Sequence, residues 1–194
     1  CSACPEGTYK GAGSGACIDC SVGTYASDTG QSSCLLVDGG NFVDSTGASE
    51  QTPCEPGKYS GAAAIECSDC DAGTFADEEG SSTCIFAAAG YVVASDGASE
   101  EVECPAGTFS VTAATECSDC PAGYYTDQGG ESSCLTADAG YYVASDGASE
   151  QTPCEAGRIS ESFATECRDC EDGTYADSEG MSTCTLADAG TYVE

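Results

Sequence analysis

The spacing of the cysteines constrains this chain more than any other feature. Cys4, Cys17, Cys20 and Cys34 recur as Cys54, Cys67, Cys70 and Cys84, then as Cys104, Cys117, Cys120 and Cys134, then as Cys154, Cys167, Cys170 and Cys184, a period of fifty residues without insertion. Self-similarity at such a period marks a repeat protein, in which a unit too small to fold alone is completed by its neighbours. The surrounding text repeats too: Gly-Ala-Ser-Glu-Gln-Thr-Pro-Cys fills 47–54 and again 147–154. Residues 1–3 read as the end of a preceding repeat, 4–53, 54–103 and 104–153 as three full repeats, and 154–194 as a fourth, truncated one.

Inside each fifty lies a shorter unit. A glycine, one further residue and an aromatic stand at Gly7/Tyr9, Gly23/Tyr25, Gly40/Phe42, Gly57/Tyr59 and Gly73/Phe75, and the pattern runs on to Gly190/Tyr192, with departures at Gly90 and Gly157. The step is 16 or 17 residues, so three units, a, b and c, make one repeat. Units a and b begin and end on cysteine. Unit c has lost both: Val37, Ala87 and Ala137 hold the opening position, and Gln51, Glu101 and Gln151 the closing one. If each unit closes on itself, losing one bond removes both ends of one unit. That reading predicts Cys4–Cys17, Cys20–Cys34, Cys54–Cys67, Cys70–Cys84, Cys104–Cys117, Cys120–Cys134, Cys154–Cys167 and Cys170–Cys184. A pairing interlaced between a and b is the alternative among the three that four cysteines allow. Cys1 is left over at a closing position, and its partner is expected upstream.

Apolar residues gather where unit c lacks its bond. Leu35/Leu36, Ile85/Phe86, Leu135 and Leu186 precede its glycine, and Val43, Val93, Val143 and Val193 follow its aromatic position. A disulfide closing a loop of this size contributes roughly 3 kcal/mol, and each buried aliphatic side chain roughly 1.5–3 kcal/mol, so one can stand in for the other. Two readings follow. Either these residues pack within unit c, or Val43, Val93, Val143, Leu35, Ile85 and Leu135 form an exposed stripe that contacts copies of the chain or other fibre subunits.

No stretch carries a helical apolar period. Each unit has room for a short strand at the aromatic, a Gly/Asp/Ser turn and a short return strand. The fold class expected is small, disulfide-rich and all-β: an elongated linear array of hairpin-like modules of about 17 residues, three per fifty-residue repeat, held by disulfides and by stacking of aromatics between neighbours.

Seventeen cysteines in 194 residues place the chain in an oxidising compartment, extracellular or at the cell surface. Zinc fits poorly: there is no histidine, and pairs such as Cys17/Cys20 lie too far from a second pair. With 34 acidic and 4 basic residues, binding to nucleic acid is excluded, because it needs Lys and Arg to displace counterions. No apolar run approaches a membrane span. The single methionine is Met181, so a segment of something longer is expected.

Catalysis has little to work with: no histidine, few basic groups and no concave core. The chain is expected not to be an enzyme and calls for no organic cofactor. Calcium is the one ion its composition suits, because acidic residues recur at equivalent turns, with Asp77, Glu79, Asp127, Asp146 and Asp177 the candidate ligands. No EF-hand pattern accompanies them. The lone asparagine, Asn41, lies outside any N-glycosylation sequon. Thr52 and Thr152, each before a proline, are candidate O-glycan acceptors.

The run Cys104-Pro105-Ala106-Gly107-Thr108-Phe109, followed by Cys117-Ser118-Asp119-Cys120-Pro121-Ala122-Gly123-Tyr124-Tyr125, resembles the ephrin-receptor-like cysteine-rich repeat, a relative in appearance of tumour-necrosis-factor-receptor modules. The resemblance implies small β modules in extended extracellular arrays. It covers units a and b, and unit c without its cysteines, so no receptor ligand-binding surface carries over. Repeats 2 and 3 scarcely differ, which points to a structural subunit of an extracellular fibre or surface appendage. The alternative is a stalk or ligand-binding ectodomain of a surface adhesin or receptor.

Overall fold

In the computed structural model, which describes residues 2–13 and 15–188, each glycine of the shorter unit sits at the start of a two-stranded hairpin. Eleven two-stranded antiparallel sheets make up the regular structure among the described residues, with no helix. The strands are two residues long because a left-handed glycine turn precedes the first and a small polar loop follows it. Only the pair ending on the aromatic is left extended, where bulky side chains favour a pleated backbone. The chain is therefore all-β and disulfide-rich, with three hairpins in each of the full repeats 4–53, 54–103 and 104–153.

The chain divides into two compact units, residues 1–87 with 93–101 and residues 88–92 with 102–194. In the first, Thr8–Tyr9 pairs with Ile18–Asp19, Thr24–Tyr25 with Leu35–Leu36, Asn41–Phe42 with Thr52–Pro53, Lys58–Tyr59 with Ser68–Asp69, and Thr74–Phe75 with Ile85–Phe86. In the second, Tyr91–Val92 pairs with Val102–Glu103, Thr108–Phe109 with Ser118–Asp119, Tyr124–Tyr125 with Leu135–Thr136, Tyr141–Tyr142 with Thr152–Pro153, Arg158–Ile159 with Arg168–Asp169, and Thr174–Tyr175 with Thr185–Leu186.

Within each unit one hydrogen bond repeats from hairpin to hairpin. The glycine N–H donates to the carbonyl of the residue after the next hairpin's aromatic position: Gly23 to Val43 at 2.9 Å and Gly40 to Ser60 at 2.8 Å in the first unit, Gly107 to Thr126 and Gly123 to Val143 at 2.9 Å in the second. The accepting residue is buried every time, and its identity follows the unit type. Unit a carries Ser60, Ser110 and Ser160, unit b Ala26, Ala76, Thr126 and Ala176, and unit c Val43, Val93 and Val143. The buried serines are satisfied by the preceding hairpin: the Ser60 hydroxyl donates to the Asn41 carbonyl at 2.8 Å, Ser110 to Tyr91 at 2.9 Å and Ser160 to Tyr141 at 2.8 Å. This removes the cost of burying a free hydroxyl.

Stacked aromatics, expected to join neighbours, do not do so. The rings are half-buried, and the one ring pair among the described residues is Tyr124 with Phe163. Backbone hydrogen bonds and the small residue after each ring do the joining, because a buried N–H or C=O must find a partner and a two-residue strand supplies few. The contact also reaches beyond the nearest neighbour. Gly40 has φ +87°, and a Cβ built on it would lie 1.8 Å from the carbonyl oxygen of Gly80, in the turn of the next hairpin but one. The Gly80 N–H in turn donates to the Cys54 carbonyl at 2.8 Å.

Candidate functional site

The covalent frame comes first, since it holds every exposed face. Each a and b hairpin is closed by its own disulfide, Cys4–Cys17, Cys20–Cys34, Cys54–Cys67, Cys70–Cys84, Cys104–Cys117, Cys120–Cys134, Cys154–Cys167 and Cys170–Cys184, with Cα atoms 5.6–5.8 Å apart. Cys1, Val193 and the Gly190/Tyr192 pair lie outside the described residues.

Unit c closes in another way. Its opening residues, Val37, Ala87 and Ala137, are buried. The next residue forms a two-bond clamp across the loop: the Asp38 N–H donates to Gln51 Oε1 at 2.9 Å, while Gln51 Nε2 donates to Asp38 Oδ2 at 3.0 Å. Asp138 and Gln151 repeat the pair, both bonds at 2.7 Å. Apolar packing is thus half of the substitute and a charge-assisted amide–carboxylate pair the other half. Asp and Gln at matching positions in the first and third repeats were the signal in the sequence.

The candidate calcium ligands Asp77, Glu79, Asp127, Asp146 and Asp177 are all exposed. Asp146 has a structural partner, since its Oδ1 accepts the Ala122 N–H at 2.8 Å, as Asp96 accepts the Ala72 N–H at 2.9 Å. Among the described residues, no three acidic or cysteine side chains gather as a metal site would need. Thr52 and Thr152 are exposed on the return strands of unit c, in register with Phe42 and Tyr142. A cavity of about 800 Å³ lined by residues of 156–157, 169–176 and 187–188 holds carboxylates and the Tyr175 phenol as its titratable groups. It adjoins residues outside the described range.

The apolar stripe divides in two. Val43, Val93 and Val143 are 4%, 1% and 3% exposed, so they do not belong to an outer surface. Each fills the contact with the preceding b hairpin, whose glycine donates to its carbonyl. Leu35, Ile85 and Leu135 do stand outside, at 43–51% exposure, and Leu36 and Phe86 reach 65%. This gives a direct test. Val143→Asp buries an unpaired charge, which typically costs about 3–5 kcal/mol, and is expected to lower the denaturant midpoint sharply. Leu135→Asp should leave it nearly unchanged. Full stability of Val143→Asp would contradict the placement of that side chain.

The exposed b-strand residues meet a second element. In the first unit Leu36 pairs with Thr24. Beside it Gly23 is covered by the turn of the next hairpin but one, with the Ala63 carbonyl oxygen at 2.6 Å and the Ile65 Cγ2 at 3.5 Å from the Cβ position. In the second unit the Phe163 carbonyl oxygen lies at 2.6 Å from the same point over Gly123. The Phe163 ring meets Tyr124 edge-on with centroids 5.6 Å apart. Phe163 holds a left-handed backbone, φ 67°, as Ala63 does at φ 60°, where a bulky residue is strained. The aromatic contact, generally about 0.5–1.5 kcal/mol, offsets part of that strain. Burial, then the nearby charges of Asp138 and Asp127, push the Tyr125 phenol above its ordinary value.

Positive charge is sparse and mostly committed. Lys58 is paired with Asp69, whose hydrogen bond and charge raise the ammonium above its ordinary value. Arg158 bonds Asp169 at 2.9 Å, and Arg168 bonds Glu161 at 3.3 Å. These side chains are 39–83% exposed, so the pairs contribute little to stability.

Tandem hairpins, two in each three closed by their own disulfide, with acidic exposed faces, define a class: cysteine-rich tandem repeats. Within that class the sequence profile of the family described as "Tyrosine-protein kinase ephrin type A/B receptor-like" matches residues 7–54, 57–104 and 107–154. The chain belongs to this family. No curated protein matches it. Membership and the many disulfides are consistent with an extracellular or cell-surface location. No helix among the described residues is long and apolar enough to cross a membrane.

Proposed function

We propose that this chain is part of the extracellular region of a cell-surface receptor or adhesin, in which tandem cysteine-rich repeats space or present a ligand-binding surface. The observation that carries the reading is the family match, repeated three times in tandem over residues 7–154. A disulfide in two of every three hairpins suits a segment exposed to proteases and a changing environment. The regular period first pointed to a fibre subunit. Family membership supports the ectodomain instead, and a fibre subunit finds no support beyond the regularity itself.

The test is accessibility on intact cells. An antibody raised against residues 104–153 should stain unpermeabilised cells of the source, and brief external proteolysis should remove the signal. Staining only after permeabilisation would overturn the reading. So would recovery of all the protein in insoluble filaments free of cells.

A further inference from the structure

We propose that the return strand of the b hairpin at 24–36, together with the turn of the next hairpin but one, and the equivalent place on the b hairpin at 124–136 are binding surfaces for a basic, apolar segment of another protein. The inference rests on the ectodomain reading and names the chemistry of its ligand. In the first unit the surface is built from Leu36 and Ile65, which are 65% and 53% exposed. In the second it is built from Phe163, 54% exposed, with the ring of Tyr124, which pairs with Thr136 of the return strand, set against it.

The two places correspond, since Ala63 covers Gly23 as Phe163 covers Gly123, yet different side chains make them apolar. Neither Leu36 nor Phe163 is needed to fill the interior. An exposed apolar patch rimmed by charge, on a small stapled module, is the usual mark of an interaction site.

Charge selects the occupant. Asp38 and Glu66 flank the first patch, and Asp138 and Glu166 hold the same positions beside the second, all exposed. The chain carries 34 acidic and 4 basic residues, and three of the basic ones are already paired with carboxylates. A second copy would bring the same excess of negative charge to the contact and be repelled. A segment that interleaves Lys or Arg with Leu or Phe satisfies both the rim and the patch, and opposite charge speeds its approach.

The test uses the oxidised 194-residue chain and two short synthetic peptides of equal positive charge, one alternating lysine with leucine and one alternating lysine with serine. The lysine–leucine peptide is expected to bind more tightly by about tenfold or more. The double variant Leu36→Ser with Phe163→Asn leaves net charge unchanged, and asparagine tolerates the left-handed turn. It should weaken that peptide by a similar factor while the disulfide map and circular dichroism stay as they were. Equal binding of the two peptides, or binding unaffected by the double variant, would reduce the interaction to unspecific charge and overturn the proposal. Sedimentation of the chain as a dimer that the double variant abolishes would overturn it in favour of a second copy. A chain that is displayed on intact cells but binds neither peptide leaves the ectodomain reading standing and removes this one.

Discussion

Reducing agent is expected to unfold the whole chain at temperatures where the oxidised form is intact. The buried apolar residues are cysteine, alanine and valine, with Ile159 the only larger one among the described residues. Such side chains bury too little area to offset the entropy of ordering the backbone. Each disulfide spans 13 or 14 residues, and a loop of that length contributes about 3 kcal/mol by restricting the unfolded chain. Removing one staple alone, as in Cys120→Ala with Cys134→Ala, should cost about that much. The loss should reach unit c, because the Gly123 N–H that anchors Val143 belongs to the unstapled hairpin. Hydrogen exchange would show it as faster exchange at the Gly123 amide, the donor of that bond, and at the Val143 amide, which donates to the Ala164 carbonyl at 2.9 Å. A reduced chain that still unfolds cooperatively at the oxidised midpoint would contradict this account.

Much of the architecture could be read in the sequence because covalent and steric constraints leave direct marks there. Cysteines that vanish in pairs identify closed loops, and a glycine two residues before an aromatic marks a left-handed turn into a strand. What escaped was the interaction between units. A backbone hydrogen bond leaves no residue signature at its acceptor, so the contact from Gly23 to Val43 could not be foreseen. Its trace was the orderly change from serine to alanine or threonine to valine after the aromatic, visible only once a common burial explained it. Val43, Val93 and Val143 were ambiguous for the same reason, because valine suits an interior contact and an apolar surface equally.

Regularity misled in another respect. Near-identical repeats report how the chain arose by duplication and say little about what it touches. Contacts with a partner are made by exposed side chains, and Leu36, Ile65, Phe86 and Phe163 are exposed residues that a stability argument has no reason to single out.

Gly40→Ala is expected to be among the most damaging single substitutions that leave the disulfides in place. Its new Cβ would lie 1.8 Å from the Gly80 oxygen and 2.5 Å from the Gly80 carbonyl carbon. Both are backbone atoms, so no side chain can swing away. The residue also sits at φ +87°, where a Cβ costs about 1–2 kcal/mol. Moving the Gly80 turn breaks its bond to Cys54, and moving Gly40 breaks its bond to Ser60, both at 2.8 Å. At about 1 kcal/mol for each bond, the total loss comes to about 3–4 kcal/mol. Gly61→Ala is the matched control: nothing stands within 4 Å of its Cβ position and its φ is not positive, so stability should change by less than about 1 kcal/mol and in the stabilising direction. Denaturant midpoints of the two variants, with amide exchange at Gly80, decide the matter. If both variants melt alike, the next-but-one contact is not what holds successive hairpins in place.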